Sequence, residues 1–370
     1  MKKRIIFLTG LVGFSITLMS WGWEGHNKIS TNAGLSFNQQ MSQFNAWIPI
    51  LALHASDADT RKDNDPSEMP KHYIDIDSYN QFIYNGRIPQ TFDSIIAIYG
   101  ESFVYENGIL PWATMTAFDS LRNCFQRHDW NKAELFAADL GHYVGDGHMP
   151  MHITKNYNGY DTGNGGIHSR YESNMVGDHI SEINYLGDSI SVIPNVNQYI
   201  FNYLYTNYTY VDSVLLADNY AKSINSNTHS SEYKAALWNK TKNFTTLLFK
   251  NASHSLAELI YTAWVEAGSP QIASSSILSP IGKNQVYLEQ NIPNPFTNST
   301  RISFTLNEKS NVTLQVNDMS GSTVATLLNG SKNGGSYQID WQPQNLSSGI
   351  YYLVLNTEKT KQVKKMLLIN

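Results

Sequence analysis

The chain has a single cysteine, Cys124, in 370 residues. An intramolecular disulfide is therefore excluded, and an exported form must be stable without one. Cys124 stands beside Phe125 in no recognisable catalytic setting and reads as a small core residue. No Gly-x-Ser-x-Gly motif occurs, which removes the commonest serine-nucleophile reading. Charge is also sparse: Asp, Glu, Lys and Arg make up 15% of the chain against 41% hydrophobic residues. That balance supplies an ample core and is unlike a disordered chain. A basic stripe is missing as well. The net charge is −5, and Lys2, Lys3 and Arg4 stand at the extreme N-terminus. Residues 287–370 carry seven Lys or Arg against five Asp or Glu, so residues 21–286 hold −10. Such a body argues against electrostatic capture of nucleic acid, although bound metal ions would cancel much of that charge.

Long apolar runs are confined to the start. Lys2-Lys3-Arg4 precedes an apolar stretch from Ile5 to Met19, broken by Thr and Gly. Residues 1–20 read as a signal peptide, too short and too soon polar for a membrane span; an uncleaved anchor is the alternative. Cleavage after Ser20 would make Trp21 the N-terminal residue. Its amino and carbonyl groups could then chelate a metal together with His26. The plainer reading of Trp21 and Trp23 is as core aromatics beside a helix start.

What the chain does have is a helical pattern that changes late. Leu35 to Leu53 has helical apolar spacing, with Pro49 expected to kink or divide it. His54 to Arg61 reads as a polar loop carrying Asp57 and Asp59. Asn131 to Val144 is an amphipathic helix, which Gly145-Asp146-Gly147 should break or bend. Tyr157 to Gly166 is a loop rich in Gly, Asn and Asp, suited to substrate contacts. Ser231 to Ala267 is helical in pattern and is stopped by Gly268-Ser269-Pro270. Residues 269–286 then read as a linker. Beyond them the spacing alternates, with strands expected at 301–306, 312–316, 337–341 and 350–355. The expected architecture is an all-α catalytic domain over residues 21–268 and a small all-β sandwich over residues 287–370.

The chemistry gathers between Leu140 and Glu172. His142 and Asp146 are four residues apart, as are His168 and Glu172, with His148 and His152 between the pairs. On a helix such pairs share a face and can close on one metal ion. Trp21 (main chain), His26, Asp57 and His72 are further donors. The histidine excess favours zinc or another transition metal over calcium, which takes mostly oxygen. The alternative, ordinary polar residues of a helical protein, accounts poorly for two such pairs in one short stretch. Clustered zinc suits phosphoester hydrolysis, because it lowers the pKa of water, binds phosphate oxygens and stabilises the leaving group.

His142-x3-Asp146-x5-His152 followed by His168-Ser169-Arg170-Tyr171-Glu172 resembles the zinc-dependent phospholipase C family. It also resembles the related zinc nucleases that cut single-stranded nucleic acid. Bacterial relatives that share a segment like His72-Tyr73-Ile74-Asp75-Ile76-Asp77 look nearest. The resemblance covers roughly residues 21–268 and implies an all-α fold with three zinc ions. It implies one zinc on Asp57, His72, His142 and Asp146, and a second on His152, His168 and Glu172. The third would be held by the amino and carbonyl groups of Trp21, His26 and a shared Asp146. Asp57 would also serve as the base, with Asp59 as the alternative acid. The spacing from Trp21 to His26 is nuclease-like, and Arg61 could mimic an arginine of the nucleases. Glu172, the His-Ser-Arg-Tyr-Glu run and the lack of cysteine pairs lean toward phospholipase C. The implied substrate is a phospholipid, or alternatively single-stranded nucleic acid. A secreted, metal-stabilised binding protein without catalysis is the third reading, and no stable protein partner is implied.

Residues 287–370 carry a second resemblance. Leu288 to Phe296, Asn317 to Gly321, Leu346 to Tyr351 and Lys364-Lys365-Met366 resemble the C-terminal sorting domain of the type IX secretion system. That implies contact with the type IX secretion machinery and export to the medium or the cell surface. A carbohydrate-binding or spacer sandwich is the alternative, and no aromatic platform for a sugar is evident.

Overall fold

The computed structural model describes residues 22–272 and most of 286–368; residues 289–290, 292–293, 295, 307, 319–321 and 344–345 are outside the description. The signal-peptide reading, Trp21 and most of the expected linker (residues 273–285) lie outside the described residues. Two compact units divide the chain, one up to Ile272 and one from Ala273. The first is helical and the second an antiparallel β-sandwich, as the sequence patterns predict.

In the helical unit three helices meet closely: Gly22–Ala33, Trp130–Asp146 and Ser231–Glu266. The last runs for 36 residues and buries Leu237, Leu248, Phe249, Leu256, Leu259, Ile260, Ala263 and Trp264. Full burial of a side chain of that size is worth about 1.5–3 kcal/mol, so this helix is a main source of the unit's stability. Ser230 caps its start by accepting from the Tyr233 amide. At its end the Ser269 amide donates to the Trp264 carbonyl, and Gly268 takes a φ of +87°, a conformation that suits glycine.

The helix Trp130–Asp146 runs on through Gly145, where a break was expected. The reason is close approach. A Cβ on Gly145 would lie 2.8 Å from His26 Nδ1, and one on Gly141 would lie 2.9 Å from a Leu256 methyl. These glycines let two neighbouring helices close on this one.

Two further expectations are corrected. Residues 39–47 form a 3-10 helix, capped by Asn38, and the α-helix proper is Ile48–Leu53 with Pro49 in its first turn. Proline costs nothing there, because that amide has no helical partner. The polar segment after His54 is no loop: Asp57–Arg61 is a short α-helix.

In the second unit β1 (Tyr287–Leu288), β2 (Thr300–Leu306) and β5 (Gly335–Trp341) form one sheet. The other has the order β4-β3-β6-β7, with β3 at Ser310–Asn317, β4 at Thr323–Lys332, β6 at Gly349–Thr357 and β7 at Lys361–Leu368. Ile302, Phe304, Leu306, Val312, Leu314, Val316, Leu353 and Leu355 fill the core. The two long strands without a sequence expectation, β4 and β7, are the edges of their sheet. β7 carries Lys361, Lys364 and Lys365, and lysine on an edge opposes edge-to-edge pairing while blurring apolar alternation.

Candidate metal centre

Asp146 is the hub. It is fully buried, and its two oxygens face four histidines brought from four parts of the chain. Oδ2 lies 3.0 Å from His72 Nδ1 and 3.3 Å from His142 Nε2. Oδ1 lies 3.5 Å from His26 Nε2 and 3.4 Å from His152 Nδ1. His142 meets Asp146 because the two are one helical turn apart. His26 arrives from the N-terminal helix, its ring stacked on that of His142 at 4.0 Å.

His72 is fixed beside His152 by paired backbone. The Ile74 amide donates to the His152 carbonyl at 2.8 Å, and the Ile76 amide donates to the Ile153 carbonyl. Asp77 strengthens this seam by accepting from the Thr154 hydroxyl and the Lys155 amide. His168 and Glu172 sit on a short α-helix, Ile167–Ser169, that widens into a π-helical turn over Arg170–Met175. Arg170 anchors that turn by donating to buried Asp218 at 2.9 Å and to the Tyr233 hydroxyl at 2.9 Å. Asp218 also accepts from Asn164 at 2.7 Å. Much of the loop at 157–166 is therefore tied down structurally, and Tyr157 alone of it lines the cavity described below.

Among the described residues three groups of donors result: His26, His142 and Asp146; Asp59, His72 and His142; and His152, His168 and Glu172. Within each group the donor atoms lie within 4.8 Å of one another. His142 Nε2 lies 2.9 Å from His72 Nδ1, and His152 Nε2 lies 3.0 Å from His168 Nε2. Lone pairs of two imidazoles repel at that range unless a proton or a cation stands between them. Zinc–nitrogen bonds of about 2.0–2.1 Å in a tetrahedron put ligand atoms roughly 3.3–3.5 Å apart, close to these spacings. Glu172 Oε1 and His168 Nδ1 are buried without a hydrogen-bond partner, which is costly in a closed protein interior. The donor set fits zinc.

The electrostatics run the same way. Burial alone would push the Asp146 carboxyl up, but His142 and His152 outweigh it and hold the group well below its ordinary value. Burial opposes the charged form of His142, yet Asp146 and Asp59 raise it to about 9. Burial, with His142 beside it, lowers His26.

Asp57, the expected ligand and base, is elsewhere. Its side chain is half exposed, and its Oδ2 lies 2.7 Å from His54 Nδ1. The cause is the short helix: residues two apart point roughly 200° apart, so Asp57 faces out where Asp59 faces in. Asp59 Oδ1 lies 3.6 Å from both His72 Nδ1 and His142 Nε2. The structure therefore places the alternative acid, Asp59, in the group. His148 is buried but apart: Nδ1 lies 2.8 Å from the Val144 carbonyl oxygen, and the ring lies against Tyr203.

A cavity of about 320 Å³ opens beside the groups, lined by His72, His152, His168, Lys62, Asp75 and Tyr157 among others. Met69, Tyr73, Glu106 and Met151 complete its wall. Lys62 Nζ lies 2.6 Å from Asp59 Oδ1. Sequence reasoning passed over Lys62 and Asp75; the His72-to-Asp77 segment was itself the signal for Asp75.

Burial, then the neighbouring Asp77, raises the Asp75 carboxyl to about 7. A raised carboxyl stabilises the fold only while protonated, so that stability is present below about pH 4 and lost as pH rises through about 7. In metal-free protein, Asp75→Asn should match the parent near pH 4. Above about pH 8 it should be more stable by roughly 2–4 kcal/mol. Thermal melts of both proteins across that range check this; equal melting points at every pH would refute it.

Comparison with known proteins bears first on the β unit. Residues 291–370 match the family model described as the secretion system C-terminal sorting domain. The protein is secreted or held at the cell surface. Its C-terminal unit thus implies contact with the type IX secretion machinery. No curated protein sequence matches the chain. Among solved structures, the chain is similar to the alpha toxin from Clostridium absonum, with 9% identity and a TM-score of 0.43, over 94% of this chain and 96% of that one. It is also similar to the alpha-toxin of Clostridium perfringens from an avian strain, with 11% identity and a TM-score of 0.46, over 93% and 97%. Among the described residues no helix is long and apolar enough to cross a membrane.

Proposed function

We propose that the helical unit is a zinc-dependent phosphodiester hydrolase of the phospholipase C type. The observation that carries the reading is three donor groups, two of them joined through His142 beside the buried carboxylate of Asp146 and the third at His152, His168 and Glu172, next to a cavity that could admit a substrate. His26, Asp59, His72, His142, Asp146, His152, His168 and Glu172 would hold the ions, with the main chain of Trp21 as a further donor. When bound, zinc supplies an activated water and positive charge for the phosphate oxygens.

The chain's own residues do the rest. Lys62, whose Nζ lies 2.6 Å from Asp59 Oδ1, holds that carboxylate at the cavity wall. Asp59, 18% exposed and held by Lys62 at Oδ1, would take a proton from water on its other oxygen, the role first assigned to Asp57. Asp75 and Glu106 give the same cavity two acids, and Tyr73 and Tyr157 add two rings. An acidic, aromatic wall suits an ammonium head group and repels the next phosphates of a nucleic acid strand. Those two tyrosines could equally stack a base, which makes single-stranded nucleic acid the second reading.

The test sets phosphatidylcholine vesicles beside single-stranded DNA with the zinc-loaded protein. Diacylglycerol release without DNA cleavage is expected, and cleavage of DNA alone would overturn the substrate. Asp59→Asn should cost about 100-fold or more in rate, while Asp57→Asn stays within about twofold. Hydrolysis of neither substrate would overturn the enzyme reading.

A further inference from the structure

Glu68 was passed over in the sequence and belongs to none of the three donor groups. It is 1% exposed, just ahead of the 3-10 turn Met69–His72. Its Oε1 accepts from the Tyr143 hydroxyl at 2.5 Å and from Arg61 at 3.4 Å. Its Oε2 accepts from Lys71 at 2.8 Å. Arg61 is itself steadied by Asp139 at 3.0 Å. Two partly exposed cations and a tyrosine thus hold both oxygens of a buried carboxylate in one place.

Glu68 stands beside His72. Its Nδ1 faces His142, Asp146 and Asp59. Its Nε2 is buried, makes no hydrogen bond, and has Glu68 Oε1 at 3.6 Å. A neutral imidazole that offers Nδ1 to a cation must carry its proton on Nε2. That proton needs an acceptor, and a small closing of the gap would bring it to Glu68. Ligating histidines commonly give their second N–H to a carboxylate, which fixes tautomer and ring angle.

We propose that Glu68 is a positioning residue that sets the tautomer and orientation of His72 for metal, with Tyr143, Lys71 and Arg61 holding its carboxylate in place. The inference rests on the reading of His72 as a zinc ligand. It adds a carboxylate that binds no ion and touches no substrate.

The experiment measures zinc stoichiometry and affinity by chelator competition on the full chain, with the melting point of each metal-free protein. Wild type should bind zinc; if it does not, the metal reading itself fails, independently of Glu68. Given binding, Glu68→Gln should weaken one zinc equivalent by about 10–100-fold while the others stay tight. Tyr143→Phe removes a bond to the same carboxylate yet leaves its charge, and should keep affinity within about threefold. A purely structural role predicts that both variants melt early and lose zinc together. Unchanged affinity in Glu68→Gln, or equal loss in the two variants, overturns the proposal. A wild-type measurement does not depend on any variant folding. In the zinc-loaded protein, NMR should show a slowly exchanging His72 Nε2 proton close to the Glu68 side chain. A proton on Nδ1 instead, or an Nε2 proton far from Glu68, also overturns it.

Discussion

Asp146→Asn should abolish phosphodiester hydrolysis, by about 1,000-fold or more, and cut the zinc content of the protein. The substitution is nearly isosteric, so the fold is not the target. What changes is charge and one acceptor. The carboxylate faces His26 and His152 with one oxygen and His72 and His142 with the other. An amide can face only one pair with an oxygen; its NH2 must point at the other. Two donor groups, those of His26 and of His72 with His142, lose their common anion together. The measurement is turnover on the preferred substrate beside metal analysis of the purified variant. Retention of full zinc with a tenth of the parent's activity or more would remove Asp146 from the centre of the site.

Chelation should lower the melting point of the helical unit by about 10–20 °C and leave that of the sandwich alone. A ligand that binds only the folded state stabilises it by about 4 kcal/mol at a thousandfold excess over its dissociation constant, and several ions act together. Their removal leaves Asp146 and Glu172 fully buried among histidines, with protons as the remaining source of compensation. The sandwich has its own core, built from Leu288, Phe304, Leu314, Leu353 and others, and no donor group is found there among the described residues. Calorimetry with and without chelator checks this. A single transition that ignores chelator would show that the groups hold no metal of structural consequence.

The sequence exposed those parts of the site that follow helical spacing. His142 with Asp146 and His168 with Glu172 were legible because a four-residue gap on a helix fixes which side chains meet. The same rule was read in one direction only. Glu68 and His72 are also four apart, with the acid first, and that pair went unnoticed. Asp57 stands ahead of Asp59 in the sequence reading because the first acid of the Asp-x-Asp pair matches the phospholipase pattern. A five-residue helix is too short to show a period, yet its winding decides which acid turns inward. Gly145 read as a breaker because glycine disfavours helix interiors; the approach of the His26 ring, which accounts for it, comes from a segment far away in sequence. In the β unit β2, β3, β5 and β6 announced themselves by alternation, although β5 is itself the edge of the three-stranded sheet. β4 and β7 did not: β4 buries no side chain fully, and the lysines of β7 interrupt its apolar alternation.

The groups around Asp146 also bear on the chain as a polymer. They join residues near the N-terminus, around residue 60, around residue 72 and between 142 and 172. An ion held there is a cross-link that closes long loops, the longest running from His26 to Asp146. For a disulfide, closing a loop of about 100 residues is worth about 4–5 kcal/mol through the entropy denied to the unfolded state. A chain whose only cysteine is buried and unpaired cannot use sulfur for that purpose. Coordination at these histidines would supply the missing covalency in a form that a change of metal supply can undo.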